Sequence, residues 1–276
     1  MKKYKVLAAD IDRTLRGDDR AFGPLSREAM QRLHADGVKI GLASGRPIWQ
    51  NLKKHAEEWE LGFPFDFLIG LNGGEIYDEH TGKTIKQNLL EPDTIRYIIE
   101  QMEPTGCNPF VYREGYMLAR WDDELLRASA ARNKNESRVV KDLSELWSEP
   151  IGKLMYRTHS AEEMDSIVVP LARTIENETF FAFKTRVDLL EFQDRRNHKG
   201  NGVKAWCEAN GYTMDDVIAF GDAENDLEMM RMAGYSVCLC NGMEENKRIA
   251  DAVTEYPAGE DGFGRWILKH WYGEER

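Results

Sequence analysis

The stretch Val6-Leu7-Ala8-Ala9-Asp10-Ile11-Asp12-Arg13-Thr14-Leu15 decides how the rest of the chain is read. A short apolar run with the character of a buried strand ends abruptly in two carboxylates. In an extended chain, residues i and i+2 project to the same side. Asp10 and Asp12 therefore aim together beyond the strand's carboxyl end, the edge at which open α/β sheets bind ligands. Two like charges held so close cannot both ionise freely, so a cation neutralises them or one keeps its proton. Either outcome suits chemistry in which one carboxylate attacks as a nucleophile while the other handles a proton or anchors a metal. Taken alone, the segment is also compatible with a strand running into an acidic surface turn.

A second segment repeats this form. Val217-Ile218-Ala219-Phe220-Gly221-Asp222-Ala223-Glu224-Asn225-Asp226 reads as an apolar strand, a glycine, and then carboxylates opening a helix. Asp222 falls where it can meet Asp10 and Asp12, and three oxygen donors of this kind suit Mg2+, which keeps several waters and bridges to phosphate. Asn225 and Asp226 lie at a helix start, where the macrodipole favours negative charge. Capping alone would account for one acidic residue there, but not for a matched pair of strand-terminal acidic sites. Ser44-Gly45-Arg46 offers a hydroxyl and free backbone N–H groups at a strand-to-helix turn, a setting that binds phosphate and that equally serves as a plain turn and N-cap. Lys199, within Asn197-His198-Lys199-Gly200-Asn201-Gly202, opens a helix at the end where a positive charge is locally unfavourable, a placement that fits anion binding.

Around these segments the chain alternates strand and helix patterns. The first strand is followed by a helix carrying Ala29, Met30 and Leu33, with Ser26 read as its N-cap and Gly37 as its stop. Residues 38–43 form the next strand, residues 65–71 a third that closes on Asn72-Gly73-Gly74, and Ile48, Leu52, Ala56 and Trp59 recur at helical spacing between them. Such alternation implies a parallel sheet with right-handed crossovers. Between about 85 and 192 the style changes to a helix over 93–102, a hairpin around Glu114-Gly115, and strands near 153–157, 180–184 and 187–192, a pattern that reads as a small antiparallel sheet with helices. This segment is expected to be an inserted domain, 85–192, within a core formed by 1–84 and 193–276. The tail then resumes the parallel style.

The chain has 276 residues, 42% of them hydrophobic and 31% charged, enough for two domains with sizeable cores. No apolar stretch approaches the roughly 20 residues of a membrane span. The opening Met1-Lys2-Lys3-Tyr4-Lys5 imitates the basic region of a signal peptide, but the apolar run behind it is short and stops at Asp10, so a cytoplasmic location is expected. A net charge of −11 argues against a general nucleic-acid binder; a monomer or homodimer acting on a small phosphorylated metabolite, with no membrane partner, is expected. Cys107, Cys207, Cys238 and Cys240 are too few and too scattered for a disulfide scaffold or a four-thiolate zinc site.

In order, these segments resemble the haloacid dehalogenase superfamily of phosphatases, specifically its Cof-type branch with a large class IIB cap. Asp10-Ile11-Asp12-Arg13-Thr14 is similar to the first family motif, Ser44-Gly45-Arg46 to the second, Lys199-Gly200 to the third and Gly221-Asp222-Ala223-Glu224-Asn225-Asp226 to the fourth. The resemblance implies an α/β fold, a Rossmann-like parallel-sheet core with an inserted α/β cap that sets specificity. It implies a Mg2+-dependent phosphatase of small phosphate monoesters, such as sugar phosphates, acting through an aspartyl-phosphate on Asp10. Asp12 then serves as general acid and base, with its pKa raised for the role. Asp10, Asp12 (through its backbone oxygen) and Asp222 hold the metal; Thr14, Ser44, Gly45, Arg46, Asn72, Lys199 and Asn225 bind phosphate or substrate; Asp226 supports from behind. A phosphotransferase or phosphomutase, or a catalytically dulled phospholigand-binding regulator, are the alternatives. One position departs from the pattern: Arg13 stands where the family usually has glycine, and it is expected to point outward as a spectator.

Overall fold

The computed structural model describes residues 4–19, 21–113, 115–133 and 135–276, so part of the opening basic segment and the first residue of the Glu114-Gly115 turn lie outside the described residues. In chain order the strands are β1 (Val6–Ala9), β2 (Lys39–Ala43), β3 (Phe67–Gly70), β4 (Glu75–Asp78), β5 (Lys83–Lys86), β6 (Pro109–Arg113), β7 (Tyr116–Ala119), β8 (Glu136–Val139), β9 (Leu154–Arg157), β10 (Phe180–Arg186), β11 (Leu189–Asp194), β12 (Val217–Gly221), β13 (Tyr235–Cys238) and β14 (Ala252–Val253). They form two sheets, β14-β13-β12-β1-β2-β3-β4-β5 and β10-β11-β9-β6-β7-β8. The chain divides accordingly into one unit of residues 1–85 and 198–276 and another of residues 86–197.

In the first unit β1 is central, paired in parallel with β2 and β12. Its last residue, Ala9, is in register with Leu42 and Phe220, the penultimate residues of β2 and β12, so the three strands end within one residue of a common level. The residues that follow are thereby delivered to a single edge, and the backbone N–H of Asp10 still donates to Phe220 O at 3.0 Å. Alternation along β1 serves two cores. Leu7 and Ala9 pack with Ala29, Met30 and Leu33 of the helix Pro24–Ala35 and with Phe263, Trp266 and Ile267 of the helix Gly262–Tyr272. Val6 and Ala8 pack on the opposite face with Val203, Trp206 and Cys207 of the helix Lys199–Ala209. A sheet buried on both faces explains why these strands read as continuous apolar runs.

Several local readings change. Gly23, not Ser26, is the N-cap of the first helix; Ser26 lies inside its first turn, where its N–H and hydroxyl both donate to Asp261. The helical periodicity after Pro47 resolves into a π-helical turn, Ile48–Leu52, and a short α-helix, His55–Glu58. Asn72 adopts the left-handed conformation (φ 53°, ψ 34°) and turns the chain so that β4 returns antiparallel to β3. Asparagine tolerates that conformation better than most residues, which is why Asn-Gly-Gly marks the reversal.

The second unit holds the six-stranded sheet. It is mixed, not purely antiparallel as expected, because β8 runs parallel to β7 after the helix Glu124–Asn133, an element without a clear sequence signal. One face packs Val111, Leu154, Tyr156, Leu190 and Phe192 against Ile95, Ile98 and Ile99 of the helix Pro92–Met102. The other face packs Phe110, Met117, Met155 and Leu189 against Leu126 and Ala130 of the helix Glu124–Asn133. Pro170 is accommodated at the first turn of the helix Val169–Ile175, after a π-helical turn. The expected boundary at 192 falls inside β11, whose Gln193 and Asp194 are still paired with β10, so the chain leaves this unit only after residue 197. Among the described residues no helix is long and apolar enough to cross a membrane, and the four cysteines are free thiols.

Candidate active site

At the carboxyl edge of β1 and β12 an acidic cluster is buried. Ligand-type oxygens of Asp10, Asp222 and Asp226 all lie within 4.8 Å of one another. Lys199, fully enclosed at the start of its helix, donates from Nζ to Asp10 Oδ1 and to Asp226 Oδ1, each at 2.6 Å. The second oxygen of Asp226 accepts the N–H groups of Asp222 (3.0 Å) and Ala223 (3.1 Å), which fixes the turn after β12. Gly221 makes this closeness possible: a Cβ there would stand 2.5 Å from Asp226 Cβ. Thr14 donates its hydroxyl to Asp222 Oδ1 at 2.9 Å and is itself buried.

Three buried carboxylates thus gather around one ammonium. Burial pushes Asp10 well above the ordinary carboxylate range, Lys199 pulling it back and Asp226, Asp222 and Asp12 adding to the rise. Burial, then repulsion from Asp226, carries Asp222 up to about 7 against the Thr14 hydrogen bond and the charges of Lys199 and Arg13. Burial alone would lower Lys199, but Asp10 and Asp226 outweigh it and hold the lysine above its usual value, so it stays a cation. Fully ionised, the cluster would carry a net charge of −2 (three carboxylates less one ammonium). A divalent cation matches that excess and an oxygen-only donor set in kind.

Asp12 stands apart from this cluster, and its expected elevated pKa is not what the structure shows. Its Oδ1 accepts Arg16 Nη2 (2.8 Å) and Nε (3.2 Å); its Oδ2 accepts Arg46 Nη2 (2.7 Å) and Nε (2.9 Å). Burial alone would raise its pKa, but the combined charges and hydrogen bonds of Arg46 and Arg16 prevail and lower it. The carboxylate is therefore ionised as it stands. Arg16, buried and four residues beyond Asp12, is the site residue that sequence reasoning missed; the i,i+4 acidic–basic spacing was its only trace.

The other expected residues divide by partner. Ser44 is buried beside Arg46, whose N–H donates to Ser44 Oγ at 3.3 Å, while Ser44 O accepts the Asn72 N–H. Gly45 faces Asn72 closely enough that a Cβ would stand 3.1 Å from Asn72 Oδ1. Asn225, expected with Asn72 among the residues that bind phosphate or substrate, donates from Nδ2 to Asn72 Oδ1 at 3.1 Å. Arg46 is engaged with Asp12, and Thr14 with Asp222, where substrate contacts were expected. Asp226, expected behind the metal site, is one of the three clustered carboxylates. Arg13 is exposed in the left-handed region (φ 66°), the conformation that suits glycine. It points outward as expected and pairs with Asn241: Arg13 Nη2 donates to Asn241 O (3.0 Å), and Asn241 Nδ2 donates back to Arg13 O (2.8 Å).

The sequence model of the haloacid dehalogenase-like hydrolases matches residues 7–267. The chain belongs to that family. Among curated relatives of this hydrolase, a putative phosphatase of Streptococcus pyogenes is 28% identical over 254 residues, covering 91% of this chain and 93% of the relative. The HMP-PP phosphatase of Cronobacter sakazakii is 29% identical over 242 residues, covering 86% and 85%. Among solved structures, a haloacid dehalogenase-like hydrolase from Bacteroides thetaiotaomicron superposes with a TM-score of 0.83 at 24% identity, covering 96% of this hydrolase and 99% of that chain. The mixed α/β architecture with its parallel-sheet core is the fold of this family.

Proposed function

We propose that this hydrolase is a Mg2+-dependent phosphatase that cleaves small phosphate monoesters of metabolites through an aspartyl-phosphate on Asp10. The observation that carries the reading is the Lys199 ammonium held 2.6 Å from both Asp10 and Asp226, with Asp222 in the same buried cluster. A carboxylate approaching a phosphate dianion is repelled, so the site needs fixed positive charge at the reacting oxygens. Mg2+ bound by Asp10 and Asp222, with Asp226 beside them, would supply charge neutralisation. Lys199 keeps Asp10 aimed along the continuation of β1 and presents an ammonium next to the attacking oxygen.

In the first step an Asp10 carboxylate oxygen bonds to phosphorus as the ester P–O bond breaks. The leaving alkoxide takes a proton. Asp12 can give that proton only when its two guanidiniums release it, and a phosphate dianion that draws Arg46 away would raise the Asp12 pKa at the moment an acid is required. In the second step Asp12, as a carboxylate, accepts a proton from the water that attacks the aspartyl-phosphate, and inorganic phosphate leaves. The turn of Ser44 and Gly45 lies beside Arg46, where N–H and hydroxyl donors suit phosphoryl oxygens. The second unit, residues 86–197, acts as a cap that selects the leaving group. The same reading takes the protein as a cytoplasmic monomer or homodimer working on small molecules, and the acidic net charge of −11 argues against a nucleic-acid substrate. Turnover of an aryl phosphate by the purified chain, present with Mg2+ and lost in chelator, tests the reading; no turnover under either condition contradicts it. Product analysis with added sugar acceptors separates hydrolysis from phosphoryl transfer.

A further inference from the structure

A second charge imbalance lies in the second unit, on the sheet face that carries Phe110, Met155 and Leu189. Leu189 of β11 is in register with Arg157 of β9 on one side and with Arg186 of β10 on the other. Residues directly opposite in a ladder share a face; the extra residue Thr185 shifts the β10 register and brings Arg186 opposite Leu189, so the two arginines stand one strand to either side of Leu189 and both within ion-pair reach of Asp188. One carboxylate serves both. Asp188 Oδ1 accepts Arg186 Nε at 3.1 Å, whereas Asp188 Oδ2 stands 4.0 Å from Arg157 Nε, beyond hydrogen-bond reach.

Arg157 is the telling member. It is only 6% exposed, yet among the described residues none accepts a hydrogen bond from its guanidinium. Burial lowers its pKa, Asp188 offsets part of that, and the like charges of Arg132 and Arg186 lower it further. A guanidinium retained for packing alone would be expected to find an acceptor for its buried Nε–H, because an unsatisfied buried donor is unfavourable. Arg186 beside it is about half exposed, which leaves the pair open on one side.

We propose that Arg157 and Arg186 form an oxyanion site on this sheet face, taking the carboxylate or phosphate group of a small ligand. The planar guanidinium fork matches both groups. The anion has two possible sources: a second anionic group on the ester's leaving portion, which rests on the phosphatase reading, or a free anion bound separately.

Sulfate titrated calorimetrically into the full chain, with chelator present, probes the site directly, since the metal-free acidic cluster repels anions. Wild type is expected to bind sulfate, and Arg157→Met and Arg186→Gln to bind it at least about tenfold more weakly, the loss of one charge-assisted hydrogen bond or more. Arg96→Gln, on an exposed helix, serves as the control and is expected to match wild type. Steady-state kinetics then assign the source. If the leaving group supplies the anion, both variants raise KM about tenfold for esters carrying a carboxylate or second phosphate, and leave KM for neutral polyol and aryl phosphates within twofold. If the anion is a free ligand, sulfate binding falls while every KM stays put.

Arg157→Met is expected to melt no lower than wild type, because it removes a guanidinium whose buried Nε has no acceptor and whose ion pair with Asp188 is long. A marked loss of thermal stability would show that the guanidinium is satisfied within the fold, and would overturn the site. Unchanged sulfate affinity in both variants would overturn it as well. Failure of the phosphatase reading is distinct: wild type would turn over no ester at all, and the sulfate result would still stand.

Discussion

At the carboxyl edge of the parallel sheet three carboxylates gather around one ammonium, while on the six-stranded sheet two guanidiniums gather around one carboxylate. The two regions are unbalanced in opposite senses, and they are also built differently. The acidic cluster draws its members from residues 10, 199, 222 and 226, brought together by strand ends in register and then locked by short hydrogen bonds from Lys199, Thr14 and the backbone of Asp222 and Ala223. The basic pair comes from the two strands flanking β11, and the Nε of its buried member is left without an acceptor. Folding does not reward an excess of buried charge in either place. The difference lies in what completes each: a cation for the first, an oxyanion for the second.

The largest effect expected concerns the acidic side of this comparison. Asp10→Asn should lower turnover of any phosphate ester by about a thousandfold or more, since an amide is a poor nucleophile, while Lys199 and Asp226 remain paired. Retention of near-wild-type turnover would remove Asp10 from the chemistry. Asp222 offers a test of the charge excess itself. Its pKa of about 7 lies above the ordinary carboxylate value, so the native state binds the extra proton. The stability linked to it is full below about pH 4 and is lost as pH rises through 7. In metal-free protein, the melting temperature of wild type relative to Asp222→Asn should therefore fall between pH 5 and pH 8, and Mg2+ should abolish the trend. A flat difference would mean the cluster is not frustrated.

Smaller effects probe the edges of the site. Arg46→Gln removes two hydrogen bonds from Asp12, so the Asp12 pKa should rise and the acid limb of the pH–rate profile should move to higher pH, with turnover falling by roughly tenfold. An unmoved acid limb would show that Asp12 does not govern it. Arg13→Gly is expected to change least. It relieves a left-handed backbone that costs on the order of 1 kcal/mol in a side-chain-bearing residue, and it forfeits the bond to Asn241 O while the return bond from Asn241 to the Arg13 carbonyl persists. Michaelis constants for sugar phosphates should stay within a few-fold; a large rise confined to anionic esters would assign Arg13 to specificity.

The sequence made the acidic edge legible because apolar runs that stop at carboxylates are locally odd, and β1 and β12 carry that oddity within ten residues each. The partners of those carboxylates were harder to see. Thr14 serving Asp222, Arg16 sharing Asp12 with Arg46, and Asn225 reaching Asn72 are contacts across 4 to 208 residues that depend on how turns close, not on periodicity. The same holds for the antiparallel return of β4, which hinges on three consecutive positive-φ residues, Leu71, Asn72 and Gly73. On the second sheet, β8 and the helix Glu124–Asn133 carry few buried apolar residues to announce them. Arg157 and Arg186 look like ordinary charged residues until strand register puts them either side of Leu189.

Covalent capture of the phosphoenzyme tests the central claim most directly. The purified chain, mixed with an aryl phosphate and Mg2+ and quenched in acid on the turnover timescale, should yield a peptide spanning residues 4–15 that carries one phosphoryl group on Asp10, absent in Asp10→Asn and absent when the metal is chelated. Rapid turnover with no phosphoryl group on that peptide at any quench time, or with the group on a different residue, would contradict the account.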